Sequence, residues 1–214
     1  MMMTNSKHTG KEQDTAMRTL YARFLEPSPI RPEDYRFSVV MNYLAWFSCA
    51  GHFYLLFLFG TLGIFQLALF SVGSCLLLLV AIHLNRRTYH GITWALCAWQ
   101  AVIHAFATSR ILGWESGFHY LVLILVPLAF FNTSWHKVAK ATAATTMCLC
   151  YAGILAWSQV SPPAPLLPQP SLNTLRYANI ATLFLGLAFV GHYHNMAATN
   201  MEQEIKETNL QLEH

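Results

Sequence analysis

The sequence predicts an all-α integral membrane protein, a six-helix bundle with a polar, coiled-coil exit helix at its C-terminal end. Three observations carry this. The 214 residues are 55% hydrophobic and only 11% charged, whereas a soluble domain carries about a quarter charged residues. The apolar residues fall in long runs, and from Phe37 to Asn85 there is no Asp, Glu, Lys or Arg; a helix needs about 20 apolar residues to cross a hydrocarbon core. The turns between runs are short, which favours antiparallel neighbours in a bundle.

The formal charge of +3 is too small to argue for a nucleic-acid partner; the expected surroundings are membrane lipid. No short apolar stretch with a cleavage site opens the chain, so no secretory signal peptide is expected. Residues 1–14 are polar and predicted to be disordered. Around 15–25 Met17, Leu20, Tyr21 and Phe24 share one helical face, with Arg18 and Arg23 placed to reach lipid headgroups. Pro27, Pro29 and Pro32 break that helix.

Six spans follow, at 38–60, 63–84, 91–111, 117–134, 140–160 and 174–198. Gly60 and Gly63 flank the first turn, Asn85, Arg86 and Arg87 form the second, Gly113 to Gly117 the third and Asn132 to Lys140 the fourth. Pro127 is expected to bend the fourth span. The fifth connection, Ser161 to Pro170, holds five prolines and reads as a stiff extended loop. One side collects Arg18, Arg23, Arg31, Arg36, Arg86, Arg87, Lys137, Lys140 and Lys206; the other holds only Arg110 and Arg176. Basic residues stay cytoplasmic, so both termini are expected inside and the proline-rich loop outside. Beyond Asn200 the chain turns polar, and Ala198, Met201, Ile205, Thr208 and Leu212 fit alternating a and d positions of a heptad. A helix that leaves a membrane into a parallel coiled coil suits a homodimer that passes a signal to an attached enzyme. The ending Leu212-Glu213-His214 resembles the start of a vector-encoded purification tag, so the natural chain is expected to continue.

The residues that carry chemistry are histidines inside the spans. A polar ring in hydrocarbon is costly without a partner. Helix rise, about 1.5 Å per residue, puts His52 of span one and His104 of span three at equal depth in the outer half, with His119 of span four slightly nearer the outer surface. His83, His90, His192 and His194 form an inner layer. His192 and His194 point to different faces of one helix, so at most one of them should face the core. For His90, His136 and His194 the plain alternative is a hydrogen-bonded or interfacial side chain.

Zinc would favour His-x3-His or Cys-x2-Cys spacing, and neither occurs within a span. All five cysteines (Cys49, Cys75, Cys97, Cys148, Cys150) read as small packing residues. Haem b takes two imidazoles from different helices and apolar walls, which the spans supply. The expected outer haem uses His52 with His104 or His119; the inner one uses His83 with His192, His90 or His194. Arg86 and Arg87 inside, and Arg110 and Arg176 outside, are candidate propionate partners, with topological anchoring as their alternative role.

The segment from Gly113 to Phe131, Gly-Trp-Glu-Ser-Gly-Phe-His-Tyr-Leu-Val-Leu-Ile-Leu-Val-Pro-Leu-Ala-Phe-Phe, resembles the third-loop and fourth-span signature of bacterial six-transmembrane sensor domains. Those domains precede class III adenylate cyclases or diguanylate cyclases. The resemblance covers residues 35–212. It implies a multi-pass protein of the bacterial inner membrane that binds haem b, and a cyclase domain downstream in the same chain. The cyclase catalytic residues belong to that downstream domain, so this chain is expected to be regulatory and not itself an enzyme. The expected layout is a cytoplasmic segment at 1–36, a six-span sensor domain at 37–198 and a signalling helix at 199–212, with 212–214 as the tag remnant. The expected function is redox or gas sensing through two bis-histidine haems. The alternatives are a receptor for a diffusible hydrophobic ligand and a transmembrane b-type electron-transfer cytochrome.

Overall fold

The computed structural model describes residues 32–161 and 166–212. The amphipathic stretch at 15–25, the prolines at 162–165 and the final Glu213 and His214 lie outside the described residues, and so outside any test of the expectations placed on them.

Among the described residues the chain is helical throughout, with no strand. α1 runs Pro32–Thr61, α2 Phe65–Arg86 and α3 His90–Leu112. A 3-10 turn at Trp114–Ser116 and a 3-10 helix at Phe118–Ile124 lead into α4, Leu125–Phe131; α5 is Lys137–Val160 and α6 Gln169–Leu212. α1 begins with Pro32, a residue suited to a first helical turn because its missing N–H would be unpaired there anyway. The helix therefore starts ahead of the expected boundary at 37.

Two further expectations change. Pro127 does not bend a long fourth helix. It sits in the first turn of α4, again where no N–H is required, and the irregularity lies before it in seven residues of 3-10 helix. Pro170 does not belong to the extended loop, because α6 already takes in Gln169 and Pro170. α6 has 44 residues, about 66 Å at the usual rise, and its polar C-terminal turns continue the apolar part without a break.

Four stretches are long and apolar enough to cross a membrane: Asp34–Thr61, Phe65–Arg86, Lys137–Val160 and Gln169–Gln211. Their surfaces agree. Phe65, Leu69 and Leu76 of α2, Leu149 and Val160 of α5, and Phe184 and Leu185 of α6 are all exposed. Only 11% of the most apolar window of α5 is buried inside the protein. Apolar surface on that scale needs lipid or another chain to cover it.

The helices alternate in direction, and side chains gather at two ends. At the end holding the α1–α2 turn, Phe59, Leu67, Leu112, Phe118 and Leu172 form one buried cluster. At the opposite end, Tyr43 stacks on Tyr193 with centroids 4.0 Å apart, Phe131 stacks on His194 at 4.2 Å, and Trp135 meets Phe37 and Trp94 at 6.3 and 5.3 Å.

One polar node ties three helices at this second end. The fully buried Asn85 donates through Nδ2 to the Ser38 carbonyl of α1 at 2.8 Å, and its Oδ1 meets His90 Nδ1 of α3 at 2.9 Å. At the first end, α6 is clipped to the 113–117 turn. Asn179 Nδ2 donates to the Ser116 carbonyl at 2.9 Å, and Arg176 pairs with Glu115. Gly117 permits this approach. Its φ is +77°, and a Cβ there would stand 3.0 Å from the Arg176 Cα.

Candidate ligand-binding site

α1 and α3 bring His52 and His104 together. The ring centroids are 4.6 Å apart, edge to face, and both side chains are buried, at 8% and 4% exposure. Gln100 stands one turn before His104 on the same face of α3, and its Nε2 lies 2.6 Å from His52 Nε2. Phe70 and Phe118 close on His104 with centroids at 5.7 and 5.5 Å.

These three polar side chains form part of the wall of a cavity of about 350 Å3 that is mostly apolar, with Ser48, Tyr54 and Thr182 as its other polar lining residues. Its volume falls at the small end of ligand pockets, which run from about 300 to 1,000 Å3. α3 contributes Cys97, Gln100, Ala101 and His104, one helical face at i, i+3, i+4 and i+7. The 3-10 helix contributes Phe118, Leu121 and Ile124. At three residues per turn these stack in a straight row, so the unusual helix supplies a flat apolar wall. Ala50, Gly51 and Tyr54 of α1 line the cavity and are exposed, which puts its mouth on the side of α1, toward Thr182 of α6.

Two ring nitrogens in this wall, His52 Nδ1 and His104 Nε2, are buried without a hydrogen-bond partner. Unpaired imidazole nitrogens on an apolar wall match the donor chemistry of haem b, and in residue type the site fits that group. The placement is narrower than the type. With the rings in contact there is no room for an iron between them, and His52 Nε2 is engaged by Gln100, so as placed only His104 offers a free Nε2.

The remaining candidates are dispersed. His119 is fully buried, but its ring stacks on Trp114 at 3.4 Å and 12°, with Tyr120 and Tyr151 around it. Both its nitrogens lack a partner, yet no ring contact joins it to His52 or His104. The inner layer does not converge either. His83 and His192 are exposed, His90 is held by Asn85, and His194 stacks on Phe131. Among the described residues no ring contact joins any two of these four, and no group of three His, Cys, Asp or Glu is placed to hold a metal ion.

None of the four arginines lines the cavity. Arg176 is occupied by Glu115 and Asn173, Arg87 and Arg110 are exposed, and Arg86 is half-buried at the other end. Cys75 Sγ lies 3.6 Å from the Cys49 carbonyl, and all five cysteines are free thiols.

Reasoning from sequence missed Gln100, the residue whose amide meets His52 Nε2. An amide four positions before a histidine in the same span was a readable signal, because both must share a face. Missed too was the Trp114–His119 stack, which no spacing rule announces. No family model, curated protein or solved structure matches this chain.

Proposed function

We propose that this chain is a membrane sensor domain that binds haem b in the cavity walled by His52, Gln100 and His104. The observation that carries the reading is the pair of buried imidazoles from two helices, with two unpartnered nitrogens, on a mostly apolar wall. Apolar packing alone gives no reason to bury two imidazoles and an amide together. His104 would hold the group and Phe118 would pack its face. When bound, haem supplies an iron that responds to electrons or to small diatomic gases. The dispersed inner histidines make one site in the outer half the better-supported reading, in place of two.

The domain is proposed to sit in a bacterial inner membrane with all six helical runs crossing it and both termini cytoplasmic. α3 is long enough at 23 residues. The fourth crossing joins seven 3-10 residues to seven α residues, which spans about 25 Å at their respective rises, slightly short of the hydrocarbon thickness. Reporter fusions after Arg87 and after Lys140 should report cytoplasm, and fusions within 162–170 should report the outside. The opposite result at any one of these positions breaks the six-span topology.

α6 runs without interruption from the apolar bundle to Leu212, a continuous rod by which a change at the site would reach a downstream cyclase in a homodimer. The chain itself is regulatory in this reading. Ile205 is exposed, free to meet its twin. A cysteine at Ile205 should cross-link between two copies more efficiently than one at Gln203; equal yields would remove the heptad seam.

The visible spectrum of the purified protein tests the reading directly. A Soret band with reducible alpha bands supports it. A colourless preparation that also takes up no added haemin shifts the weight to the second reading, a receptor for a diffusible hydrophobic ligand. That reading has its own supporting observation, the modest apolar cavity opening on the side of α1.

A further inference from the structure

The cavity beside His52, Gln100 and His104 opens on the flank of a membrane-length helix. Ala50, Gly51 and Tyr54 line it and are exposed. They precede the end of α1 at Thr61 by about 10 to 16 Å of helix rise. α1 is long and apolar enough to cross a membrane, so this mouth sits at hydrocarbon depth, away from the aqueous surface. A guest would reach it by way of the bilayer. No Asp, Glu, Lys or Arg lines the cavity. A charged guest would be buried there without a counter-charge, which is costly.

The polar part of the wall has hydrogen-bonding capacity of both kinds. His52 Nε2 and the Gln100 amide engage each other at 2.6 Å. A neutral imidazole has one N–H and one lone pair, and an amide has a donor end and an acceptor end. With the amide N–H donating, His52 keeps its proton on Nδ1 and the amide keeps its oxygen. With the amide turned, Nδ1 keeps a lone pair and the amide keeps its NH2. Beyond their mutual bond, the pair has a donor and an acceptor in either orientation. His52 Nδ1 and His104 Nε2 are buried with no partner in the protein. A hydroxyl both donates and accepts, so it matches this wall in either state, whereas a hydrocarbon leaves its groups unpaired. Resting on the second reading above, the receptor for a diffusible hydrophobic ligand, we infer that the cavity takes an uncharged, lipid-soluble alcohol that enters from within the bilayer. Its hydroxyl meets the His52, Gln100 and His104 set. Its hydrocarbon chain lies along Phe118, Leu121 and Ile124 of the 3-10 helix, which give the cavity its apolar wall.

The test uses the full chain in phosphatidylcholine vesicles and three photoreactive diazirine probes of equal chain length: a primary alcohol, the alkane without the hydroxyl, and a sulfonate. Labelled peptides are mapped by mass spectrometry. The alcohol should label residues 50–54 and 100–104 saturably. It should do so about tenfold or more above the alkane, because leaving buried polar groups unpaired costs on that order. The sulfonate should not label them. Gln100→Leu and His104→Leu should bring the alcohol down to the level of the alkane while alkane labelling persists, which shows the cavity intact. Gly51→Trp should lower labelling by both probes. Gly51 can carry a side chain at the mouth, since a Cβ there meets nothing within 4 Å. Alkane or sulfonate labelling equal to that of the alcohol overturns the inference and leaves the receptor reading standing. Undiminished labelling of Gly51→Trp overturns entry from the bilayer. No saturable labelling of the cavity by any probe overturns the receptor reading and the inference with it. The ranking of the three probes on the wild type needs no variant, so the inference stays testable if a variant fails to fold.

Discussion

Asn85→Leu should lower stability by about 1.5–3 kcal/mol, a marked fall in midpoint when the detergent-solubilised protein is unfolded by heat or by SDS. Leucine keeps the branching and heavy-atom count of asparagine but cannot hydrogen-bond, and its bulkier methyl groups add an overpacking cost to the polar loss. Asn85 holds α1 through the Ser38 carbonyl and α3 through His90 Nδ1. Leaving a buried group unpaired costs about 1–3 kcal/mol, while single interhelical hydrogen bonds in membranes average nearer 0.6 kcal/mol. Two bonds at one fully buried residue fall between those scales. Ser38→Ala is the control: the bond goes to the backbone carbonyl, so that variant should keep the wild-type midpoint. Equal losses in both variants would assign the effect to packing of α1 and away from the Asn85 node.

Gly117→Ala should be more damaging than Gly63→Ala, although both glycines have nearly the same φ, +77° and +73°. Placing an L-residue in that region costs about 1–2 kcal/mol, which is the whole expected loss at Gly63, where an added Cβ meets nothing within 4 Å. At Gly117 the Cβ would stand 3.0 Å from the Arg176 Cα. That is backbone and cannot swing aside, so α6 must move off the 113–117 turn and strain its bonds from Asn179 and Arg176. A total of about 3 kcal/mol is expected once overpacking is added. Matching midpoints for the two variants would show that α6 does not lie against this turn.

These particulars separate what was legible in the sequence from what was not. The apolar runs gave the helices, and helix rise alone placed His52 and His104 at one depth, where their rings do meet. Depth does not give rotation. His83 and His192 were expected at one level, yet both are exposed, so the layer counted from sequence does not close into a site. The 3-10 run at Phe118–Ile124 was hidden for a related reason: the segment is apolar on most faces, so its pattern reads alike at three or at 3.6 residues per turn. Pro127 marked the irregularity but not its side, since a proline is tolerated in the first turn of the helix that follows it. Gln100 shares a face with His104, but its bond to His52 depends on how α1 and α3 are rotated against each other, which only tertiary packing decides.

The measurement that bears most directly on the binding claim is the haem-to-protein ratio of the purified full chain, wild type beside His104→Leu, both loaded with haemin and both shown to be folded by an unchanged helical spectrum. The cavity of His52, Gln100 and His104 predicts a ratio close to one haem per chain in the wild type and near none in His104→Leu. A wild type without haem, or a His104→Leu variant that keeps the full ratio, contradicts it.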